Sequence, residues 1–392
     1  MRSSIISAWL VLLSATACMS QINQSLYDCK KCDYLLFESA ILTDDVNLLK
    51  HLLNNGTDAK AVSYDGKTAL IYAASIGNQK MVELLIPVSD IKATWSINGD
   101  SALMQAAVYG SVKDVWKIVE LLLPGSDAKA VDKFGYTALM FAAKYGTEKM
   151  VELLIPVSDV KAANQIEDPK ATTALMYAAS KGNEKSVELL IPVSNVNATN
   201  NYGQTALILA ARSGNEKSVE LLIPVSDVKA SSKSGTTALM QAVVKDGTDK
   251  MVELLIPVSD IKATDNNGET ALMKAAMFGT EKMVELLIPE SDVKATNKNG
   301  DTALMRAAGF GNEKIVELLI PESDVKATNN DGRTALISAA EWGLVKSVEL
   351  LIPVSDVKAS NNKGQTALDV ALHPRYKSSG RDEIVQLLKQ HN

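Results

Sequence analysis

Residues 302–333, TALMRAAGFGNEKIVELLIPESDVKATNNDGR, hold two short apolar patterns of helical period separated by a glycine. Thr302 suits a helix N-cap, because its hydroxyl can accept a hydrogen bond from an N–H that the first turn leaves open. Ala303, Leu304, Met305, Ala307 and Ala308 form the first apolar helix, with small residues that permit close packing. Gly311 suits the left-handed C′ position that ends it. Asn312 is expected to cap a second helix, with Glu313 near its positive end. Ile315, Val316, Leu318, Leu319 and Ile320 are its expected apolar face. Pro321 is expected to stop it, since a proline inside a helix removes a hydrogen bond and clashes with the preceding turn. Asp324, Val325, Lys326 and Ala327 read as extended chain, and Asn330, Asp331 and Gly332 as turn chemistry.

The same pattern recurs along the chain. Thr-Ala-Leu begins at Thr68, Thr137, Thr173, Thr205, Thr237, Thr270, Thr302, Thr334 and Thr366, and Ser101 starts a tenth copy. The spacings are 33, 36, 36, 32, 32, 33, 32, 32 and 32 residues, so the period is 32 with small insertions. A length of 392 residues would otherwise suggest two or three globular domains. A helix pair of this size cannot bury its apolar face alone, whereas stacked neighbours can, which makes the chain one array.

The pattern resembles the ankyrin repeat in its Thr-x-Leu-x-x-Ala-Ala-x-x-Gly run, its Val-x-Leu-Leu-Ile helix, and its Asp-Val-x-Ala segment before an Asn/Asp-Gly turn. The resemblance covers about residues 33–392. It implies an all-α fold with short β-hairpin loops, a solenoid of stacked helix–turn–helix units. Two departures are systematic. The family's Thr-Pro-Leu-His is Thr-Ala-Leu-Met or Ile here, so a methionine fills apolarly the space of a histidine. The family's glycine turn after the second helix is Pro-Val-Ser or Pro-Glu-Ser, with one Pro-Gly-Ser at Pro124. Four residues separate Leu53 from Asp58 in the first unit, but only three separate Ile86 from Asp90, which accounts for a period of 32 against the family's 33. The boundaries read as an N-terminal cap over 33–66, about nine internal repeats over 67–365, and a C-terminal cap over 366–392. The last unit carries a polar loop over 374–381 and a final helix expected over 383–390.

The copies can be compared with one another, and positions that refuse to repeat face solvent or a partner. One such row follows the Ala-Leu-Met or Ala-Leu-Ile run: Tyr72, Gln105, Phe141, Tyr177, Leu209, Gln241, Lys274, Arg306 and Ser338. A second is the pair before the glycine, whose later member is often aromatic: Tyr109, Tyr145, Phe278, Phe310 and Trp342. A third is the turn, at 95–98, Lys133 and Phe134, 165–168, and Tyr202. The resemblance implies that these line the concave, partner-holding surface of the array. Aromatics and arginine anchor interfaces, so the candidate partner-binding residues are Tyr72, Tyr109, Phe141, Tyr145, Tyr177, Phe278, Arg306, Phe310 and Trp342. Two insertions fall in neighbouring repeats. SVKDVWKIVELLLP, 111–124, is expected to lengthen its second helix by about one turn and brings Trp116. AANQIEDPKATT, 162–173, lengthens a hairpin by four residues and adds Pro169.

The N-terminus differs from the array. Residues 1–17 have one basic residue, an apolar stretch over 5–13, then Ala15, Thr16 and Ala17, the shape of a secretory signal peptide. The other reading is an apolar helix packed on the first repeat. The apolar run is too short to span a bilayer, and no other segment could. Ala-Thr-Ala-Cys resembles a bacterial lipoprotein cleavage box in which Cys18 would carry a lipid anchor, although Ala15 stands where that pattern prefers Leu. Residues 18–32 read as a linker. Cys29 and Cys32 are either a local disulfide or two free thiols, since one C-x-x-C lacks the further ligands of a zinc site. Asn23, Asn55 and Asn197 begin N-x-Ser/Thr triplets, which matter only in a eukaryotic secretory pathway.

The net charge of −6 is spread evenly and no basic block stands out, so there is no footprint for nucleic acid. The only histidines are His51, His373 and His391, none beside a nucleophile and acid at recognisable spacing. Glu83, Glu152, Glu188 and their counterparts recur with the period, as do Asp90, Asp159 and Asp227, whereas an active site is built once. No catalytic residue, cofactor or metal is expected; repeated SDVKATNNDG segments lack the ligand density of a calcium site. The expected function is protein binding without catalysis. The alternative is an exported structural or protective array with no single partner. Localisation follows the N-terminus: exported if 1–17 are a signal, cytoplasmic if not.

Overall fold

The computed structural model describes residues 30–109, 114–165, 171–244, 247–373 and 380–391. It divides into two compact units, Met1–Asn201 and Tyr202–Asn392. The described helices of the first unit form five pairs: α1 (Lys30–Leu42) and α2 (Val46–Asn54), α3 (Ala69–Ile76) and α4 (Gln79–Leu85), α5 (Ala102–Val108) and α6 (Trp116–Leu122), α7 (Ala138–Tyr145) and α8 (Glu148–Leu154), α9 (Ala174–Lys181) and α10 (Glu184–Leu190). Those of the second unit form six: α11 (Ala206–Arg212) and α12 (Glu216–Leu222), α13 (Ala238–Ala242) and α14 (Asp249–Leu255), α15 (Ala271–Phe278) and α16 (Glu281–Leu287), α17 (Ala303–Phe310) and α18 (Glu313–Leu319), α19 (Ala335–Trp342) and α20 (Val345–Leu351), α21 (Ala367–Leu372) and α22 (Arg381–Gln390). Within each unit, successive pairs stack on one another.

Each first helix starts as the sequence predicts. The Met305 N–H donates to Thr302 Oγ1 at 3.3 Å, and the same bond recurs at the other Thr and Ser caps. The glycine that ends the helix takes two forms. Before asparagine, as at Gly311, it is left-handed with φ 79°. Before threonine, as at Gly146, it is extended, with φ −84° and ψ −170°. The β-branched residue holds the next position extended, so the reversal is made differently. Gly146 is needed for close approach instead: a Cβ there would stand 2.6 Å from the Ala142 carbonyl oxygen.

Asn312 departs from the expected cap. It occupies the N-cap position, but its side-chain amide donates to the Ala276 and Met277 carbonyls of the preceding repeat, at 2.8 and 3.1 Å. Asn183 does the same to Ala143 at 2.6 Å. The residue satisfies the open C-terminal carbonyls of a neighbouring helix and ties two repeats together.

The proline does not stop its helix abruptly. The α-helix ends at Leu319, and Ile320–Glu322 continues as one 3-10 turn with Pro321 inside it. A 3-10 turn tolerates the missing N–H because proline lies in the first positions of that turn. Ser323 then turns extended, with φ −102° and ψ 154°. In the first pair, by contrast, the chain reverses through Gly56 at φ 78°.

Asp324 to Ala327 are a turn rather than extended chain. The Lys326 N–H donates to Asp324 Oδ1 and the Ala327 N–H to the Asp324 carbonyl, both at 3.0 Å. The aspartate side chain competes locally with extended pairing. Asn329, one residue ahead of the expected turn, organises the hairpin: its Oδ1 accepts from the Asp331 and Arg333 N–H groups, each at 3.0 Å. Asp132, Asp265, Asn297 and Asn361 act alike. Hairpin tips within a unit join by backbone bonds such as Asn330 N–H to the Asn299 carbonyl, 2.9 Å. The hairpins are closed by single bridges, including Val62 with Thr68 and Ser360 with Thr366; no strand forms among the described residues.

The first insertion does not lengthen its helix. α6 has seven residues, like its neighbours, and begins after Asp114, whose φ of 62° breaks any helical continuation. The stack fixes helix length, so the extra residues fall ahead of it; 110–113 lie outside the described residues. The second insertion does lengthen its hairpin, which Ala163 and Thr173 still close. The final helix begins at Arg381, not Glu383, where the guanidinium donates to the Ala371 carbonyl at 2.6 Å and also to that of Leu372. Residues 1–29, with the signal reading, Cys18, Cys29 and Asn23, lie outside the described residues, as do Pro169 and 374–379.

The core lies between and beneath the helix pairs. Leu304, Met305 and the flanking alanines are buried, as are Ile315, Val316 and Leu319. Leu318 and Ile320 are only half-buried. Full burial of one such leucine contributes roughly 1.5–3 kcal/mol. On the outer helices Lys149 with Glu152, Lys185 with Glu188 and Lys217 with Glu220 form exposed ion pairs, which explains the recurring glutamates.

Candidate functional site

The two variable rows of the first helices have different fates. The row before the glycine is exposed: Tyr109, Tyr145, Phe278, Phe310 and Trp342 all present ring surface, Trp342 the most at 67%. The row after Ala-Leu-Met is half-buried or buried, because its side chains turn back onto the hairpins. Several of them meet a residue that immediately precedes a capping Thr or Ser: Tyr72 meets Lys67, Gln105 bonds Asp100, Phe141 and Tyr177 meet Tyr136, and Arg306 pairs with Glu269 and Asp301. Those preceding residues were missed as candidates, although they also vary from copy to copy.

In the unit Met1–Asn201 these contacts form an aromatic cluster. Phe141 stacks on Tyr136 with centroids 5.0 Å apart. Tyr177 is only 7% exposed and its hydroxyl donates to that of Tyr136 at 2.7 Å, so its ring is packed rather than offered. Lys144 places its ammonium 5.3, 4.9 and 5.0 Å from the rings of Tyr136, Tyr145 and Tyr177. This cluster carries its own cation. Tyr72 is half-buried in a cavity of about 340 Å³ lined also by Tyr34, Glu38, Asp65 and Lys67. Burial, with the Glu38 charge adding, pushes the Tyr72 hydroxyl up to about 12. Asp100 is 3% exposed and accepts from the Asn98 and Gln105 amides, both at 2.6 Å. Burial pushes its carboxyl up to about 6, against the Gln105 bond and with the Asp132 charge adding to the rise.

The unit Tyr202–Asn392 holds a groove of about 640 Å³ over α17 and α19 and their hairpins. Met305, Gly309 and Ser338 line it together with the aromatic Phe310 and Trp342. Phe278 packs edge-on against Phe310, with centroids 5.4 Å apart. Arg306 pairs with Glu269 at 2.8 Å and Asp301 at 3.7 Å, and its guanidinium lies 5.8 Å from the Phe310 ring. Arg333 pairs with Glu341 at 3.2 Å and Asp331 at 3.7 Å. Deeper along the hairpins, Lys274 pairs with Asp265 at 2.7 Å. Burial alone would raise the Asp265 carboxyl, but the Lys274 ammonium and the Glu269 and Asn267 N–H groups outweigh it and hold it below the usual range. Three predicted residues, Arg306, Phe310 and Trp342, therefore meet in one groove, with Phe278 beside it.

An ankyrin-repeat family model, three copies long, matches residues 36–120, 113–200, 187–262, 239–329 and 319–392. Solved structures similar to the chain include the human ASB11 ankyrin repeat domain, at 22% identity over 56% of this chain and 97% of that one, TM-score 0.49. The ankyrin repeat domain of Bcl-3, a member of the IkappaB protein family, is similar at 25% identity over 56% and 98%, TM-score 0.45. No curated protein matches the chain.

Proposed function

The chain belongs to the ankyrin-repeat family, whose repeats are protein-interaction modules, and from that premise we propose that it is a non-catalytic binding protein that holds a partner polypeptide in the groove over α17 and α19. The observation that carries this reading is the exposed Phe310 and Trp342 at the edge of a cavity of about 640 Å³ lined by paired charges. Aromatic anchors beside paired charges are the anatomy of an interface. The test is to select peptides from a random displayed library on the wild-type chain, then measure their binding to the Phe310→Ala, Trp342→Ala double variant. Half or more of each side chain is exposed, so thermal unfolding should shift little while binding falls at least about tenfold. Selected peptides that bind the double variant equally well would remove the groove from the proposal.

We also propose that the chain is exported. The support is the sequence of residues 1–17, a basic residue, a short apolar stretch and a small-residue end. N-terminal sequencing and mass of the protein from its native cells test this. A start after Ala17 is expected, with added acyl mass if Cys18 is lipidated; a chain that still begins at Met1 would refute export by cleavage.

A further inference from the structure

We infer that the groove over α17 and α19 selects a polypeptide segment carrying a lysine or arginine side chain, whose cation lies against Trp342 and Asp331. This rests on the proposed binding role of the groove and names the chemistry of its occupant. Three observations carry it. The first is charge: the groove is lined by three carboxylates, Asp301, Asp331 and Glu341, against two guanidiniums, Arg306 and Arg333. Both guanidiniums are already engaged, Arg306 additionally with Glu269 beyond the lining. The surplus is negative, and an acidic segment would have to displace carboxylates already in place. The second is access. Asp331 is 70% exposed and held only loosely, at 3.7 Å from Arg333, so a carboxylate is available at the rim.

The third is a comparison between repeats. In α7 the residue before the exposed aromatic is Lys144, which supplies a cation to three tyrosine rings. In α19 the corresponding residue is Glu341, and the aromatic after it is Trp342. Among the described residues, Lys67, Lys117, Lys144 and Arg306 stand over aromatic rings, and none of those rings is Trp342. Tryptophan is the strongest cation acceptor of the three aromatic side chains. Where Lys144 fills the position internally in one unit, Glu341 holds it in the other and is itself paired with Arg333, which leaves the Trp342 face for an incoming cation beside the exposed Asp331.

The experiment uses the same displayed library and the full chain. Groove-dependent peptides, defined as those lost on Trp342→Ala, are sequenced and their binding measured. Enrichment of lysine or arginine is expected. Replacing that residue by norleucine should weaken binding at least about tenfold on the wild type but only about two- to fivefold on Asp331→Asn, where the Trp342 contact remains; the change is exposed and does not threaten folding. Groove-dependent peptides that are neutral or acidic, or that tolerate norleucine, would overturn the basic preference while leaving the binding role intact. No groove-dependent peptide at all would overturn both.

Discussion

Asp100 shows how much of a residue's behaviour is tertiary. In the sequence it is one of 46 acidic residues and stands directly before Ser101. In the fold it is buried at a hairpin base beside Asp132, and its carboxyl sits at about 6 rather than 3.8. The folded state therefore binds more protons than the unfolded chain between about pH 4 and 6, so this residue's contribution to stability falls as pH rises through that window. Asp100→Asn keeps an acceptor for Asn98 and Gln105 and removes the charge. It should raise stability at pH 7 by on the order of 1 kcal/mol and flatten the slope between about pH 4 and 6, read from urea midpoints. An unchanged slope would show that Asp100 titrates normally. Arg306 was legible as variable and basic, but its pairing with Glu269, on the hairpin ahead of Thr270, was not. Sequence spacing does not say which neighbour a long side chain reaches.

At the scale of the element, the start of each first helix was legible and its end only partly so. Thr302 caps as read because an N-cap is a local bond within four residues. The glycine has two conformations, and the following residue, asparagine or threonine, separates Gly311 from Gly146. This distinction is testable. Gly311→Asn should cost about 1 kcal/mol, since asparagine tolerates the left-handed region and the nearest atom is a flexible Leu344 methyl. Gly146→Asn should cost about 2–3 kcal/mol, because any Cβ meets the rigid Ala142 carbonyl. Equal costs would refute the two-form reading. The sequence predicts a stop at Pro321, and the α-helix does end just ahead of it, at Leu319, with the proline inside the 3-10 turn that follows. The sequence predicts added helix before Trp116, whereas Asp114, at φ 62°, breaks the helix there.

For the whole molecule, repetition is the governing fact. If stability is a sum of repeats and their nearest-neighbour interfaces, deleting 302–333 should leave a folded, soluble chain. Its denaturant m-value should fall by about a tenth, in proportion to the surface removed. It should also lose the peptides selected on the groove, since Arg306 and Phe310 go with it. A chain that no longer unfolds cooperatively would show that this repeat does more than stack.

The 32-residue period, the two apolar helical patterns and the turn residues determined the fold, because each is a local preference repeated until neighbours can bury what one pair cannot. They also marked the rows that vary. Only the tertiary structure sorted those rows. It left Phe310 and Trp342 exposed, packed Tyr177 against Tyr136, and brought Arg333 of one hairpin to Glu341 of the following helix. A side chain's burial depends on what the next repeat places opposite it, and that pairing is not written in any single repeat.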